Sequence, residues 1–357
     1  MWTAEERSLI WLDSFLLDAT EKNALLAEAG SAVNLVKAFD KFLDRFAKKG
    51  RAEVFAKMQA TLQDDRYFKG LQALYERENI TCITRVTEGY FEGWKGLPDS
   101  PCVLYVKGDA TLIKGKLFAV VGSRKITDAY RKTGEQLCKE LATYFTIVTG
   151  VAEGGDEAAA KGALQGGKAI CMLAGGFGEA PKDGGDFLEG CKRHGAVLSV
   201  CPYEMPVRNY SYERRNKLLA ACAMGVLVLS AGEKSGALKT ASYAQGFEKP
   251  VFALPYAPGS LSGAGCNALL KKGAVLTENS FDISSYFGIN LIEEEKAVSL
   301  TAEESRVYEG LKGLGESHLT ALSGAVGLPS FKLMAVLAKL EVKGLVEKLG
   351  GNRYLAK

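Results

Sequence analysis

The chain has 357 residues, and its 45 lysines and arginines against 42 aspartates and glutamates leave a formal net charge of +3. Hydrophobic residues make up 47% of the sequence and charged residues 24%, which excludes a wholly disordered chain and favours two or three folded domains. Because the overall charge is nearly balanced, any cationic site for a nucleic acid must be local.

The thiol and histidine content argues against a disulfide framework and against a metal site. The eight cysteines form no Cys-x-x-Cys pair, and His194 and His318 are the two histidines. The N-terminus lacks the apolar core of a signal peptide, and no apolar run approaches the ~18 residues of a membrane span. The sequence therefore predicts a cytoplasmic protein with reduced thiols, no metal, no cofactor and no membrane contact.

Residues 1–76 have the pattern of an all-helical domain. Apolar side chains recur at helical spacing over residues 9–17 and 33–46, and the region contains no proline. Gly30 and Gly50 are the expected helix ends.

From residue 77 to residue 297, short aliphatic runs alternate with helical stretches such as 129–144 and 157–165. The predicted strands are 117–121, 145–148, 169–173, 196–200, 225–229 and 251–254. Apolar strands that alternate with helices indicate parallel pairing with both faces of the sheet covered. This region therefore predicts a Rossmann-like doubly wound sheet.

Residues 298–357 predict a third domain. Helical patterns at 302–314, 318–326 and 330–343 are followed by a short hairpin that turns at residues 350–352, which is typical of a winged helix. The predicted fold class is α/β: a Rossmann-like doubly wound sheet flanked by an N-terminal helical domain, of the SAM or helix-hairpin-helix kind, and a C-terminal winged helix.

The first candidate motif is Gly122-Ser123-Arg124, directly after a predicted strand. At this edge of a doubly wound sheet a glycine lets the backbone approach a phosphate, while the next helix N-terminus, the serine and the arginine donate hydrogen bonds. A plain strand-to-helix turn has the same pattern, so both interpretations stay open.

The second motif places Gly150, Gly154 and Gly155 after the next strand. It does not match G-x-G-x-x-G, and no acidic residue stands about 20 residues further on, where a ribose-binding carboxylate is expected. Asp156 is equally suited to be a helix N-cap, which leaves a structural turn as the alternative.

The third motif, residues 212–217, places Tyr212, Arg215, Asn216 and Lys217 at the start of a helix. Cations of this kind bind phosphates, and a tyrosine ring stacks on a base. A solvated charged helix face has the same composition, so this alternative stays open.

The fourth motif contains Ser235, Gly236 and Thr240, after the strand at 225–229. These residues either cap the following helix or contact a phosphate. A further glycine-rich turn lies at 262–267.

Taken in order, these motifs resemble the DNA processing protein A family, also called Smf. The segments that carry the resemblance are VGSR at 121–124, TGVAEGGDEAAAKGAL at 149–164, YERRNKLLA at 212–220, SGALKTASYA at 235–244, VFALP at 251–255 and SGAGCNALLKKGA at 262–274. The resemblance is tight over residues 77–275 and looser over the two flanking regions.

The resemblance implies a protein that binds single-stranded DNA in a basic pocket, forms a homodimer through the Rossmann-like domain and loads the RecA recombinase in natural transformation. It implies binding rather than enzymatic activity. The pocket residues that carry over are Gly122, Ser123, Arg124, Gly150, Gly154, Gly155, Tyr212, Arg215, Asn216, Lys217, Ser235, Gly236 and Thr240.

The chain departs from the family pattern at several positions. Glu153 stands where the family usually has Arg, Ala160 where it has His, Glu213 where it has Pro and Tyr256 where it has Gly; Tyr212 and Lys217 stand for Phe and Arg. These changes bear on DNA affinity rather than on the fold.

Two other functions stay open. A nucleotide phosphoribohydrolase would carry a Pro-Gly-Gly loop and a Glu after Thr240, and residues 235–243 have neither. A winged-helix regulator of duplex DNA would use the helix at 330–343, whose cations are Lys332, Lys339 and Lys343. The sequence shows no nucleophile–base pair and no paired carboxylates, which favours a binding protein.

Overall fold

The structure, a computed structural model, describes residues 2–42, 51–62, 64–179, 185–289 and 300–356. The chain forms two compact units, a larger one of residues 1–289 and a smaller one of residues 290–357. The predicted boundary between residues 297 and 298 lies outside the described residues, and the predicted boundary after residue 76 stays a prediction.

Helices cover the described residues before the sheet, as the apolar spacing predicts. They are α1 (Ala4–Asp13), α2 (Ala19–Ala29), α3 (Ala32–Lys37), α4 (Ala52–Thr61) and α5 (Asp65–Arg77). A capping box opens α1, because the Thr3 hydroxyl accepts from the Glu6 N–H while the Glu6 carboxylate accepts from the Thr3 N–H. The predicted end of α2 is confirmed at Gly30, which is left-handed with φ 77°. The predicted end at Gly50 lies outside the described residues.

A buried polar cluster joins these helices to the sheet. The Lys22 ammonium lies 2.9 Å from the Asp13 carboxylate, and both side chains are 5% exposed. The Tyr105 hydroxyl, on a strand of the sheet, donates to the other oxygen of Asp13 at 2.9 Å. Because buried charges must be paired, this cluster holds α1 and α2 against the sheet in one register.

The larger unit is built on a nine-stranded mixed sheet with the strand order β1-β2-β6-β5-β4-β3-β7-β8-β9. The strands are β1 (Ile80–Thr84), β2 (Val103–Gly108), β3 (Leu117–Gly122), β4 (Thr146–Thr149), β5 (Ala169–Met172), β6 (Ala196–Ser199), β7 (Val226–Ser230), β8 (Val251–Ala253) and β9 (Val275–Leu276). Strands β3 to β9 pair in parallel, whereas β1 pairs antiparallel with β2 and β2 pairs antiparallel with β6.

Helices and two short 3₁₀ turns connect these strands. The helices are α6 (Glu92–Lys95), α7 (Asp128–Leu141), α8 (Gly155–Gln165), α9 (Gly185–His194), α10 (Asn209–Cys222), α11 (Gly236–Gly246), α12 (Ala264–Lys271) and α13 (Ser280–Tyr286). The 3₁₀ turns are Ala110–Lys114 and Phe177–Glu179. The central strands β4 to β8 are buried along their whole length, which explains their continuous apolar runs. The α/β fold class is therefore confirmed, with the addition of an antiparallel edge.

The smaller unit contains α14 (Ala302–Leu314), β10 (Ser317–His318), α15 (Leu319–Val326), α16 (Ser330–Val342), β11 (Val346–Leu349) and β12 (Arg353–Ala356). Its antiparallel strands have the order β10-β12-β11, around its own apolar core. The three predicted helices and the hairpin are present, while the assignment as a winged helix stays a prediction.

All eight cysteines are free, and Cys82 and Cys222 are the half-buried ones, the others being buried. In the described part of the chain, no single helix has the length and apolar character to cross a membrane. The bent pair α15 and α16 does have them together.

Candidate nucleic-acid interface

The carboxyl ends of β3, β4 and β7 and the start of α10 enclose a cavity of about 400 Å³. It is lined by Val121, Gly122, Ser123, Arg124, Lys125, Ala152, Asp156, Tyr212, Arg215, Asn216, Ser235, Gly236, Ala237 and Thr240. Parallel strands place their following loops at one edge of the sheet, so motifs far apart in sequence meet here.

The structure brings most of the predicted site residues to this cavity. Those that line it are Gly122, Ser123, Arg124, Tyr212, Arg215, Asn216, Ser235, Gly236 and Thr240. The other predicted residues, Gly150, Gly154, Gly155 and Lys217, are not among the lining residues.

The three glycines after β4 have a packing role. A Cβ on Gly155 would lie 2.3 Å from the Gly122 Cα, and one on Gly154 would lie 2.6 Å from the Ser123 carbonyl oxygen. Gly154 also has φ +87°, and the Gly155 N–H donates to the Ser123 carbonyl at 3.2 Å. A Cβ on Gly150 would lie 1.7 Å from Arg215 Nη1. Gly154 and Gly155 thus allow the loop after β4 to pack directly on the loop after β3, and Gly150 leaves room for the Arg215 guanidinium.

A buried ion pair forms the floor of the cavity. Arg215 Nη1 lies 3.8 Å from Asp156 Oδ2, and both side chains are 8% exposed. The Asp156 carboxylate also accepts from the backbone N–H groups of Gly122 at 3.3 Å and Ala152 at 3.4 Å. Burial raises the pKa of Asp156, while the neighbouring Arg215 guanidinium acts in the opposite direction. Helix α8 takes Gly154 as its N-cap, so Asp156 serves this ion pair and is not the N-cap.

The free cations of the site stand on the loop after β3. Arg124 and Lys125 are both exposed, and neither forms an ion pair within the described residues. The motif taken from the sequence ended at Arg124 and so did not include Lys125, which also lines the cavity. Its position next to Arg124 in the same loop could have identified it. An unpaired surface cation on a cavity wall is available to a phosphate.

Helices α10 and α11 contribute further lining residues. The Tyr212 ring is 42% exposed at the first turn of α10. The Asn216 side-chain amide donates to the Gly236 carbonyl at 3.5 Å, and the Ser235 hydroxyl caps α11 by accepting from the Ala237 N–H at 3.3 Å. A ring for stacking and the positive end of a helix therefore border the same cavity.

Two charged residues of the third motif are engaged elsewhere. The Lys217 ammonium lies 2.6 Å from the Asp99 carboxylate, which accounts for its absence from the cavity. The Glu213 carboxylate accepts from Lys239 at 2.9 Å and from the Tyr243 hydroxyl at 2.9 Å. The hydrogen bond from Lys239 is the main cause that lowers the pKa of Glu213.

The other departures from the family pattern have different environments. Glu153 is exposed beside the cavity residue Ala152, and it has no ion pair in the described part of the chain. Ala160 is completely buried in α8, so its position belongs to the core. The Tyr256 ring stacks on Tyr130 with centroids 3.7 Å apart, and its hydroxyl donates to the Leu229 carbonyl at 2.8 Å.

These features define an α/β protein with a cationic, aromatic-bordered pocket at the carboxyl edge of a Rossmann-like sheet. The model of the DNA recombination-mediator protein A family matches residues 81–288, and the chain belongs to this family.

Relatives and solved structures agree with this assignment. A putative DNA processing protein DprA from Mycobacterium tuberculosis is 34% identical over 270 residues, which cover 71% of this chain and 68% of the relative. The crystal structure of DprA from Streptococcus pneumoniae superposes with a TM-score of 0.58 at 27% identity, over 66% of this chain and 81% of that one. A Helicobacter pylori DprA, described for its single-stranded DNA binding mode, superposes with a TM-score of 0.53 at 27% identity, over 58% and 95% of the two chains.

Proposed function

We propose that the protein binds single-stranded DNA in the cavity at the carboxyl edge of the sheet and delivers it to the RecA recombinase in the cytoplasm. The observation that carries the proposal is that one cavity is lined by the exposed cations Arg124 and Lys125, unpaired among the described residues, and by the exposed ring of Tyr212. The Helicobacter pylori protein, which is similar over 58% of this chain, is described as binding single-stranded DNA.

The proposed mechanism is binding without chemistry. Arg124 and Lys125 neutralise phosphates, the start of α11 adds backbone dipoles, and the Tyr212 ring stacks on a base. Arg215 holds Asp156 in place at the floor of the cavity and is itself paired there. Asp156 is the one carboxylate on the cavity wall among the described residues, and its partners occupy it, which supports a binding protein over a hydrolase.

The proposal includes a homodimer formed through the Rossmann-like domain. Leu276 on the edge strand β9 and Phe281 and Tyr286 on α13 are 50%, 59% and 55% exposed. Exposed apolar side chains at a sheet edge are typical of a subunit contact, which supports this part of the proposal. Delivery to RecA rests on the family resemblance.

The smaller unit offers little support for a duplex-DNA regulator. Helix α16, the predicted reading helix, exposes Phe331 by 72%, Met334 by 48% and Val342 by 90%. Readers of the major groove present hydrogen-bonding and cationic side chains on such a face, whereas the exposed cations of α16, Lys332 and Lys339, stand among these apolar residues.

The test is fluorescence anisotropy with the full chain, comparing an oligothymidylate with a duplex of equal length over a salt series. We expect tighter binding to the single strand. We also expect Tyr212→Ala to weaken it and Tyr212→Phe to retain it, because only the ring is needed for stacking. Equal or tighter binding to the duplex would contradict the proposal, and release of free base from a nucleoside monophosphate would favour the phosphoribohydrolase.

A further inference from the structure

Leu261 is 89% exposed at the tip of the loop that follows β8. Single exposed apolar side chains are common on protein surfaces and by themselves carry no functional meaning. Two further observations distinguish Leu261. Hydrogen bonds fix the backbone of its loop, and the loop lies beside the cavity.

The loop is fixed by hydrogen bonds on both sides of Leu261. The Ser260 N–H donates to the Ala257 carbonyl at 3.2 Å, and the Gly263 N–H donates to the Ser260 carbonyl at 3.3 Å. The Ser230 hydroxyl at the end of β7 donates to the Ser262 carbonyl at 2.9 Å. The Leu261 side chain is therefore exposed to solvent on a loop whose backbone is fixed by hydrogen bonds.

The base of the same loop is anchored by an aromatic residue. Tyr256 stacks on Tyr130, and its ring lies against Gly263, where an added Cβ would come within 1.8 Å of the Tyr256 Cγ. The departure at position 256, which the sequence alone left without a role, thus shapes the loop that carries Leu261.

The loop borders the cavity. The Ser230 carbonyl accepts from the N–H of the cavity residue Ser123 at 2.8 Å. A Cβ on Gly232 would lie 3.1 Å from the Leu261 carbonyl oxygen, and the Gly232 carbonyl accepts from the N–H of the cavity residue Ser235 at 3.1 Å. Strand β8 lies next to β7 in the sheet, so Leu261 stands just outside the wall formed by the loop after β7.

We propose that Leu261 is a base-contacting residue, which packs on the face of a nucleotide adjoining the one whose phosphate lies in the cavity. This inference rests on the proposed function. Bases that are splayed out of a single strand expose apolar faces, and apolar side chains of DNA-binding proteins pack against them. The cavity supplies the charge for the phosphates, and Tyr212 and Leu261 supply contacts with bases.

The experiment separates contact with a base from contact with the backbone. The full chain and its Leu261→Ala variant are titrated with an oligothymidylate and with an abasic phosphodiester oligomer of equal length. Val86→Ala is the matched control, because Val86 is 56% exposed in the turn after β1, at the far edge of the sheet. Arg124→Ala is the phosphate control, which should weaken binding to both oligomers.

We expect Leu261→Ala to weaken oligothymidylate binding by about three- to tenfold, the range for partial burial of a leucine side chain, and to leave the abasic oligomer unaffected. Leu261→Trp should bind oligothymidylate more tightly, with quenching of its added indole fluorescence. Unchanged oligothymidylate binding, or equal weakening with both oligomers, would overturn the role of Leu261 while leaving the proposed function standing. Failure of the unaltered chain to bind oligothymidylate would overturn the proposed function and this inference with it.

Discussion

Arg215 and Asp156 face each other at the floor of the cavity, with Arg215 Nη1 3.8 Å from Asp156 Oδ2 and both side chains 8% exposed. Arg215 also donates to the Met172 carbonyl at 3.5 Å, but its Nε atom is buried without a partner. Arg124 stands in the same cavity and is exposed. The two arginines therefore have different roles, because a buried, paired cation is structural and an exposed, unpaired one is available to a ligand.

We expect Arg215→Met to lower the free energy of unfolding by about 3–5 kcal/mol, because it leaves the buried Asp156 carboxylate without its counter-charge. Chemical denaturation of the full chain measures this loss. The double variant Arg215→Met/Asp156→Asn should recover much of the stability, since the uncompensated charge is gone. A double variant no more stable than Arg215→Met would contradict the pairing argument.

We expect Arg124→Ala to weaken binding to all single-stranded sequences and to reduce the slope of log affinity against log salt by about one unit. The slope changes because each phosphate contact releases about one counterion from the DNA, and without Arg124 that counterion stays bound. Lys217→Ala is the matched control, because the Lys217 ammonium is held by Asp99 and is not on the cavity wall. Salt slopes that fall equally in both variants would show that the two cations are equivalent.

We expect Glu153→Arg to tighten single-strand binding several-fold at low salt. Glu153 is exposed beside the cavity without an ion pair among the described residues, so the substitution removes a repulsion worth about 1 kcal/mol or less and adds an attraction. The gain should fade as ionic strength rises and screening increases. Glu53→Arg on α4 changes the net charge equally and should have little effect; weaker binding by Glu153→Arg at low salt would refute the prediction.

Glu304 makes the stability of the smaller unit depend on pH. Its carboxylate lies 2.8 Å from the Lys343 ammonium and accepts from the Thr301 N–H at 2.8 Å. Led by the Lys343 hydrogen bond, these contacts lower the pKa of Glu304 from 4.5 to about 2. Because the folded-state pKa lies below the unfolded one, the ionised carboxylate stabilises the folded unit above pH 4.5. That contribution is lost as the pH falls from 4.5 towards 2.

We therefore expect Glu304→Gln to unfold at a lower temperature than the unaltered chain at pH 7, with the difference shrinking as the pH approaches 2. Thermal denaturation of both proteins, followed by circular dichroism from pH 7 to pH 2, measures this difference. A constant difference across that range would exclude the ionised carboxylate as its cause.

The sequence alone determined the α/β class and the place of the candidate site. Runs such as 117–121 and 225–229 are apolar because the central strands are buried on both faces. A continuous apolar run in the sequence therefore indicates a strand with both faces covered. The loops that follow these strands had to meet, since parallel strands put their carboxyl ends at one edge. The antiparallel pairing of β1 with β2 and of β2 with β6 was not predicted, because an apolar run carries no record of the direction of its neighbouring strand.

Only the tertiary structure decided which predicted residues face the cavity and what each one does there. Lys217 is held by Asp99, which is 118 positions away in the sequence, and Gly155 packs on Gly122 across two different loops. Leu261 gains its place beside the cavity from the neighbouring strand β7. A side chain's burial, charge partner and direction depend on residues brought near it by folding, and local sequence spacing carries no record of those neighbours.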